Sequence, residues 1–327
     1  MNNIKKTNLK IKVINVIKVI FTISLLIILS VMLSDCEKTP AVKEIMDTAV
    51  ITKTPETNSP TTVPENTATL EETNEEEVAI RETTTLESNS EKKLVRREIP
   101  FDEVNQGHLM VILTFGQSQA ANNGESKYSS KEKVYNYYDS KFYTAVDPLL
   151  GATGGRGSVW TRLGDKIIEQ GLCDHVLFVP VAFGASGIES WSPDGKLYYR
   201  ITNAISGLRK YNLEITHIFW SQGSYDSWQH TSEAAEKYKA EFMEIVDGIR
   251  KCGVDAPIYI SVETYSYGNH DSFIQQAQRD LVDVDAKIYP GPNNDDIKER
   301  WDRVHFSNNG LDKLANLWIE VLKEYSN

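Results

Sequence analysis

From residue 108 to the end of the chain, short apolar runs alternate with amphipathic segments of helical spacing. The apolar runs predict strands at 108–115, 175–183, 215–220, 257–263 and 286–289. The other segments predict helices at 158–170, 197–211, 232–251, 272–281 and 308–325. Strands that alternate with helices favour parallel pairing, with helices packed on both faces of the sheet. The sequence therefore predicts an α/β fold, a three-layer α/β/α sandwich with a mostly parallel five-stranded sheet.

The amino-terminal residues 1–36 predict export. Five lysines precede an uncharged apolar run at 19–33, an arrangement typical of an export signal. Leu33-Ser34-Asp35-Cys36 resembles the lipobox of bacterial lipoproteins, with Cys36 as the lipidated residue, although Asp35 stands where that pattern has a small residue. The alternative is an uncleaved transmembrane anchor at 13–33. Because the lysines lie before the apolar run, both alternatives predict a protein tethered to the extracellular face of a bacterial cell membrane.

Residues 37–95 are rich in Thr, Glu, Pro, Asn and Ser and contain no aromatic residue. Such a composition buries too little apolar surface to offset the entropy of ordering, so it predicts a disordered stalk, about 45 Å between its ends. The remaining residues, 96–327, fit one folded domain. The net charge of −11 argues against nucleic acid as a partner of this domain, and against contact with the membrane except through the amino-terminal anchor. The sequence leaves the oligomeric state open.

Two further cysteines, Cys173 and Cys252, lie in the predicted domain. Neither belongs to a CxxC motif or to a cluster of Cys and His, so we expect no structural zinc site. In an exported protein the two thiols can pair as a disulfide. We prefer the interpretation that both are free and half-buried.

A serine follows the first predicted strand, in the stretch Gly116-Gln117-Ser118-Gln119. The carboxyl end of a strand is where α/β folds place their active sites. A serine there is more often a turn residue, and a nucleophile needs a base, a group that orients the base, and donors for an oxyanion. Asp302 and His305, three residues apart, supply the base and its partner. The Ser118 and Gly184 amides and the Gln222 side chain supply candidate donors, although glycines such as Gly184 also serve turns.

Four blocks of residues together resemble the SGNH (GDSL-type) hydrolase superfamily, and within it the sialate O-acetylesterase-like carbohydrate esterases. That group shows a GQSN block, a glycine-rich turn followed by Trp, a WxQGESD block and a DxxHF block. This chain has Gly116-Gln117-Ser118-Gln119, Phe183-Gly184-Ala185-Ser186-Gly187-Ile188 with Trp191, Trp220-Ser221-Gln222-Gly223-Ser224-Tyr225-Asp226, and Asp302-Arg303-Val304-His305-Phe306. Each block alone is weak evidence, but four blocks in this order, each at the end of a predicted strand or before the last helix, are specific.

The resemblance implies an SGNH/flavodoxin-like fold and a role for each matching residue. It makes Ser118 the nucleophile, His305 the base and Asp302 its partner, with the Ser118 amide, the Gly184 amide and the Gln222 side chain as the oxyanion hole. It implies neither a metal nor an organic cofactor. Two departures bear on the substrate, because Gln119 replaces Asn and Ser224-Tyr225 replaces Glu-Ser.

Polar and aromatic residues in the same loops are candidates for contact with substrate. We assign substrate binding to Gln117, Gln119, Trp191, Tyr225 and Asp226. Aromatic faces stack on sugar rings, so other loop aromatics are further candidates: Tyr198, Tyr199, Trp228, Tyr265 and Tyr267. Aromatic residues are also common in cores, and we expect roughly half of this larger set to be buried.

The expected activity is that of a serine esterase that removes O-acetyl groups from carbohydrate through an acetyl-enzyme intermediate. One alternative is a carbohydrate O-acetyltransferase on the same fold, which would need an acyl donor on the outer face. A second is a lipase or thioesterase of the same superfamily, for which a large apolar pocket would be expected. A third is a carbohydrate-binding surface module without catalytic activity. The sequence does not identify the polysaccharide.

Overall fold

The structure of the protein, a computed structural model, describes residues 95–325. The predicted signal or anchor at 1–36, its lipidation site Cys36, and all but the last residue of the predicted stalk at 37–95 lie outside the described residues. In the part of the chain that the structure describes, no helix combines the length and the apolar composition needed to cross a membrane.

Within residues 95–325, eight strands form one sheet: β1 (Glu98–Ile99), β2 (Leu109–Gly116), β3 (Val134–Tyr138), β4 (Lys141–Thr144), β5 (His175–Pro180), β6 (His217–Ser221), β7 (Ile258–Val262) and β8 (Ile288–Asn293). Their order across the sheet is β1-β4-β3-β5-β2-β6-β7-β8. The strands from β3 to β8 in this order are parallel neighbours, and β4 pairs antiparallel with β1 and with β3. Strand β2 lies inside the sheet, where Leu113 faces Val179 of β5 and Ile218 of β6.

The α/β class and the parallel pairing are confirmed, but the predicted count of five strands is wrong. The three additional strands, β1, β3 and β4, extend the sheet beyond β5. Strands β3 and β4 form a hairpin whose two-residue turn, Asp139-Ser140, has φ values of 50° and 59°. Two-residue hairpin turns of this kind are signalled by Asn-Gly or Asp-Gly, and Asp-Ser lacks the glycine that marks them. Strand β1, with only two residues, carries no periodic signal.

Six helices complete the described domain: α1 (Phe101–Val104), α2 (Val159–Glu169), α3 (Tyr198–Arg209), α4 (Ser232–Lys251), α5 (Ser272–Asp280) and α6 (Asn308–Tyr325). Helices α3, α4 and α5 contribute to a hydrophobic core on one face of the sheet. Helices α2 and α6 contribute to the core on the other face. Side chains of β2 alternate between the two cores, with Leu113 in the first and Ile112 in the second, as the two-residue period of a strand requires. The predicted three-layer arrangement is therefore confirmed.

The two cysteines of the described domain are free thiols, as expected. Cys252 is half-buried as predicted, but Cys173 is buried, because it lies in the core on one face of the sheet.

Candidate active site

The predicted site residues gather at the carboxyl edge of the sheet, around the end of β2. Gly116, the last residue of β2, has a φ of 127°, a conformation that favours glycine. A Cβ at Gly116 would collide with the backbone carbonyl of Ser221, at the end of β6. The chain turns there, and the Gln117 amide donates to the Ser221 carbonyl at 3.0 Å. The turn brings Ser118 out of the sheet immediately after a strand that is paired on both sides.

Ser118 is half-buried, and its backbone carbonyl accepts hydrogen bonds from the Ala121 amide and the Asn123 side chain, each at 3.2 Å. Its hydroxyl forms no hydrogen bond with any group in residues 95–325, His305 included. The structure therefore brings Ser118 and His305 into one region without joining them. Serine–base contacts of this kind are often long in ligand-free enzymes and shorten when substrate binds.

Asp302 and His305 form a close pair in the loop before α6. The carboxylate Oδ2 lies 2.6 Å from the His305 ring Nδ1, and Oδ1 accepts the His305 and Val304 amides at 2.7 and 3.0 Å. Between them, Arg303 adopts a left-handed φ of 72°, which turns the chain so that the two side chains meet. Burial alone would raise the pKa of Asp302, but these hydrogen bonds outweigh it and hold the pKa below its ordinary value. The pair therefore couples an ionised carboxylate to the imidazole.

Three contacts tie the loop after Ser118 to the loop that carries His305. The Gln119 Nε2 donates to the Val304 carbonyl at 2.8 Å. The Trp301 Nε1 donates to the Asn123 carbonyl at 3.1 Å. The Glu125 amide donates to the Phe306 carbonyl at 3.0 Å. Because these contacts lie on both sides of His305, the serine and the histidine are held in one unit although they are far apart in sequence.

The three predicted oxyanion donors differ in what they already bind. The Gly184 amide donates to the Thr153 hydroxyl at 2.7 Å. The Gln222 amide nitrogen donates to the Ser186 carbonyl at 3.1 Å and to the Asp226 carboxylate. The Ser118 amide has no acceptor among the described residues, so of the three it alone is free to donate to a ligand.

Two of the residues assigned to substrate binding are instead fixed inside the protein. Gln117 is buried, and its Oε1 accepts the Gly223 and Tyr225 amides at 3.2 and 3.1 Å, which joins the ends of β2 and β6. Asp226 is also buried and accepts the Ile188 amide at 3.2 Å. Burial raises the pKa of Asp226 to about 6, against the hydrogen bonds that lower it.

Trp191 lies in the hydrophobic core, which corrects its assignment to substrate binding. It is fully buried, with its ring 5.6 Å from that of Phe115 and 6.2 Å from that of Trp220, and its Nε1 donates to the Ser186 hydroxyl at 2.9 Å. Since no face of the ring is open, it cannot stack on a sugar. Gln119 is likewise buried. Of the five assigned residues, Tyr225 is the exposed one, with half of its surface open to solvent.

Two pairs of exposed aromatic and arginine side chains lie beside the Asp302–His305 loop, and the sequence did not predict that they pair. The Arg156 guanidinium lies 4.1 Å from the ring of Trp301, and that of Arg303 lies 5.5 Å from the ring of Tyr267. Neither guanidinium has a hydrogen bond or an ion pair within the described domain. Trp301 directly precedes Asp302, so its position next to the last block was the available signal. No signal in the sequence shows which aromatic an arginine will cover.

A buried carboxyl group lies below the same edge, at the end of β7. Glu263 accepts hydrogen bonds from the Ser221 hydroxyl and, at 3.0 Å, from the Asn294 amide nitrogen. Burial raises the pKa of Glu263 to about 7, and these hydrogen bonds only partly counteract it. Within residues 95–325, no group of three or more His, Cys, Asp or Glu side chains is arranged to hold a metal ion.

Several solved structures resemble this fold. A protein of Arabidopsis thaliana matches with a TM-score of 0.57 and 17% identity, over 68% of this chain and 99% of that chain. A carbohydrate acetylesterase from Xanthomonas citri matches with a TM-score of 0.43 and 17% identity, over 67% of this chain and 57% of that chain. An acetylxylan esterase from Geobacillus stearothermophilus matches with a TM-score of 0.41 and 12% identity, over 67% of this chain and 96% of that chain. The first supports the fold.

No curated protein matches the chain. A sequence model of one family does match, across residues 109–323, and that family is described as carbohydrate esterase, sialic acid-specific acetylesterase. The match covers all four blocks and about two thirds of the chain, which confirms the resemblance seen in the residues. The chain therefore belongs to the sialic acid-specific acetylesterase family of carbohydrate esterases.

Proposed function

We propose that this carbohydrate esterase removes O-acetyl groups from sugars with Ser118 as the nucleophile, through an acetyl-enzyme intermediate. The observation that carries the proposal is the Asp302–His305 pair, joined at 2.6 Å and tied to the Ser118 loop by the bond from Gln119 to Val304. A serine, a histidine and an ionised carboxylate in one unit are the groups that acyl transfer needs.

In this mechanism the Ser118 hydroxyl attacks the carbonyl carbon of the ester. His305 takes the serine proton on Nε2, because Nδ1 is engaged with Asp302. The imidazolium is stabilised by the Asp302 carboxylate. As the tetrahedral intermediate collapses and its bond to the sugar oxygen breaks, the imidazolium returns the proton to that departing oxygen. The acetyl group then resides on Ser118 Oγ. His305 next activates a water molecule, which attacks the acetyl-enzyme and releases acetate.

The oxyanion of the tetrahedral intermediate needs donors that are already in place. The Ser118 amide has no other acceptor in the described domain and serves this purpose directly. The Gly184 amide and the Gln222 amide nitrogen would have to exchange their present acceptors, Thr153 for the first and Ser186 with Asp226 for the second. The Thr153 hydroxyl accepts from Gly184, so its own hydrogen remains available to a ligand oxygen.

Exposed aromatic rings surround this edge and fit a sugar. Tyr225 follows β6, Tyr267 follows β7 and Trp301 precedes Asp302. Flat rings of this kind stack on the apolar faces of sugars, and the guanidinium groups over Tyr267 and Trp301 add donors for hydroxyl or carboxylate oxygens. These features favour carbohydrate over a long acyl chain, which would need an enclosed apolar channel.

Two observations favour a second candidate, a carbohydrate-binding module without catalytic activity. Two of the three predicted oxyanion donors bind protein acceptors, and Ser224-Tyr225 stands where related esterases have Glu-Ser. A module of this kind would keep the exposed aromatic rings and lack turnover. The test described next separates the two candidates.

The experiment uses the full chain, an aryl acetate, and then acetylated polysaccharides, with acetate release as the measurement. We expect release with wild type and none above background with Ser118→Ala. Ser232→Ala is the matched control, because Ser232 is exposed at the start of α4 and belongs to none of the four blocks. Equal rates in wild type and Ser118→Ala would refute Ser118 as the nucleophile. Sugar binding without turnover of either substrate would favour the module.

We also propose that the esterase is tethered to the outside of a bacterial membrane, through lipidated Cys36 or an uncleaved anchor at 13–33. The lysines before the apolar run and the lipobox-like Leu33-Ser34-Asp35-Cys36 support this. Mass spectrometry of the mature amino terminus distinguishes the two forms. A diacylated amino-terminal Cys36 supports lipidation, a membrane-bound chain that retains Met1 supports the anchor, and an unmodified chain free of the membrane refutes both.

A further inference from the structure

A cavity of about 590 Å³ lies beside the β3–β4 hairpin and α3, apart from the Asp302–His305 loop. Its wall includes Tyr138 and Asp139 from the hairpin and Thr153 from the loop before α2. Helix α3 contributes Tyr199 and Asn203, and Lys210 follows directly after the helix. A volume of this size is typical of small-molecule sites. It is large enough for more than one sugar unit.

Five polar side chains that line this cavity are free. The hydroxyls of Tyr138 and Tyr199, the side-chain amide of Asn203, the Lys210 ammonium and the Asp139 carboxylate form no hydrogen bond or ion pair with other groups of residues 95–325. The two tyrosines are also open to solvent, by 46% and 55%. Two exposed aromatic faces, with donors and acceptors that have no protein partner, form a surface that can stack on a ring and bind its hydroxyls.

The frame of the cavity is fixed, in contrast to its free lining. The Arg200 guanidinium donates to the Val181 carbonyl at 2.8 Å and to the Gly151 carbonyl, which joins α3 to the end of β5. At Gly207, α3 approaches the Tyr137 hydroxyl so closely that any side chain would collide with it. A preformed frame costs little ordering entropy when a ligand binds.

The charges of the lining favour a neutral, hydroxyl-rich ligand. Asp139 contributes one negative charge, Lys210 and Arg200 contribute one positive charge each, and the Arg200 guanidinium is already engaged with backbone carbonyls. A phosphate or polyanion would meet the Asp139 carboxylate, and a fatty acyl chain would leave the amide and hydroxyl groups without partners. A neutral oligosaccharide brings no negative charge close to Asp139, and its hydroxyls can form hydrogen bonds with the amide and hydroxyl groups.

The cavity borders the loop that carries Gly184. Thr153 lines the cavity and binds the Gly184 amide through its hydroxyl, at 2.7 Å. Arg200 lies 5.7 Å from the exposed ring of Phe183. The Phe183 amide donates to the Gly116 carbonyl at 3.0 Å, two residues before Ser118. A sugar chain held in the cavity can therefore continue over Phe183 toward Ser118.

We propose that this cavity is a second saccharide site, which binds unacetylated neutral sugar units of the polymer whose acetyl groups the Ser118 site removes. The connection to that polymer rests on the proposed function. The binding of a neutral oligosaccharide by the cavity does not. The protein would thus act on oligosaccharides or polysaccharides and hold them at a distance from the ester.

The test is calorimetric titration of the full chain with xylohexaose, cellohexaose and chitohexaose. We expect at least one of them to bind, and the double variant Tyr138→Ala/Asn203→Ala to weaken that binding by about ten-fold or more, the effect of losing one stacked ring and one amide. Phe273→Ala is the control, because Phe273 is exposed to a similar degree, 44%, and lies on α5, outside the cavity. It should leave binding unchanged.

Kinetics supply the second measurement. The double variant should raise the KM for an acetylated oligosaccharide and leave the hydrolysis of an aryl acetate unchanged. No binding of any of the three hexasaccharides, or equal affinity in wild type and a correctly folded double variant, overturns the cavity proposal. Failure of wild type to hydrolyse an aryl acetate, with hexasaccharide binding intact, overturns the proposed function and leaves the cavity site standing.

Discussion

The side-chain amide of Gln119 donates a hydrogen bond to the backbone carbonyl of Val304 at 2.8 Å. Gln119 directly follows Ser118, and Val304 directly precedes His305. This one bond therefore joins the neighbours of the two residues between which the proposed mechanism moves a proton. The side chain is buried, so its function in the structure is to set the position of the histidine loop.

Gln119→Met should lower kcat, because methionine fills a similar volume but cannot donate to Val304. We expect kcat for an aryl acetate to fall about ten-fold while KM changes less than about two-fold, the pattern of a lost geometry. Gln106→Ala is the matched control, since the Gln106 amide also donates to a backbone carbonyl, at 2.9 Å, on the exposed surface at α1. A rise in KM with unchanged kcat would instead return Gln119 to the substrate-binding role.

His305→Ala should abolish turnover, whereas His230→Ala should not. His230 also lies 2.6 Å from a carboxylate, that of Asp271, and is 58% exposed, so the two pairs have the same separation and differ in whether Ser118 is tied to them. We expect kcat/KM to fall roughly a thousand-fold or more for His305→Ala and less than about two-fold for His230→Ala. Comparable losses in both variants would contradict the assignment of the base. Steady-state kinetics on an aryl acetate give the comparison.

Gly116→Ala should destabilise the protein far more than Gly171→Ala. Both glycines have positive φ, 127° and 68°. A Cβ at Gly116 collides with the Ser221 carbonyl, while a Cβ at Gly171 meets nothing within 4 Å. We expect the free energy of unfolding to fall by about 3 kcal/mol or more at Gly116 and by about 1 kcal/mol at Gly171. Urea denaturation measures both, and equal losses would show that the approach of β2 to Ser221 is not as close as described.

Glu263→Gln should remove a pH-dependent part of the stability. The pKa of Glu263 is raised from 4.5 to about 7. The contribution of its protonated form to stability is therefore fully present below pH 4.5 and is lost as pH rises through 7. Wild type should lose stability relative to Glu263→Gln over this interval, by up to about 3 kcal/mol. The measurement is the difference in unfolding free energy between the two proteins from pH 4 to 8. A constant difference would refute the raised pKa.

Apart from β3 and β4, the strands and helices from β2 to α6 were predictable because each shows its own period. The motifs that contain Ser118, Asp302 and His305 were sufficient to predict that these three residues lie at one edge of the sheet. The hydrogen-bond partners of Gln117, Gln119 and Asp226 could not be predicted from the sequence. A loop side chain points where the backbone turns it, and the turns here depend on contacts between distant segments. Trp191 shows the same limit, because the sequence around a tryptophan after a glycine-rich turn is the same whether its side chain enters the core or faces a ligand.

The position of β2 has a consequence for how the protein loses activity. Strand β2 is paired on both sides and covered by both cores, so its backbone amides should exchange with solvent more slowly than those of the rest of the molecule. The loop that carries His305 belongs to no strand and depends on a few contacts, among them the bond from Gln119. On warming, that loop should detach first, while the sheet that ends at the serine is still folded. The enzyme should then lose its activity before the domain unfolds, and should recover the activity on cooling.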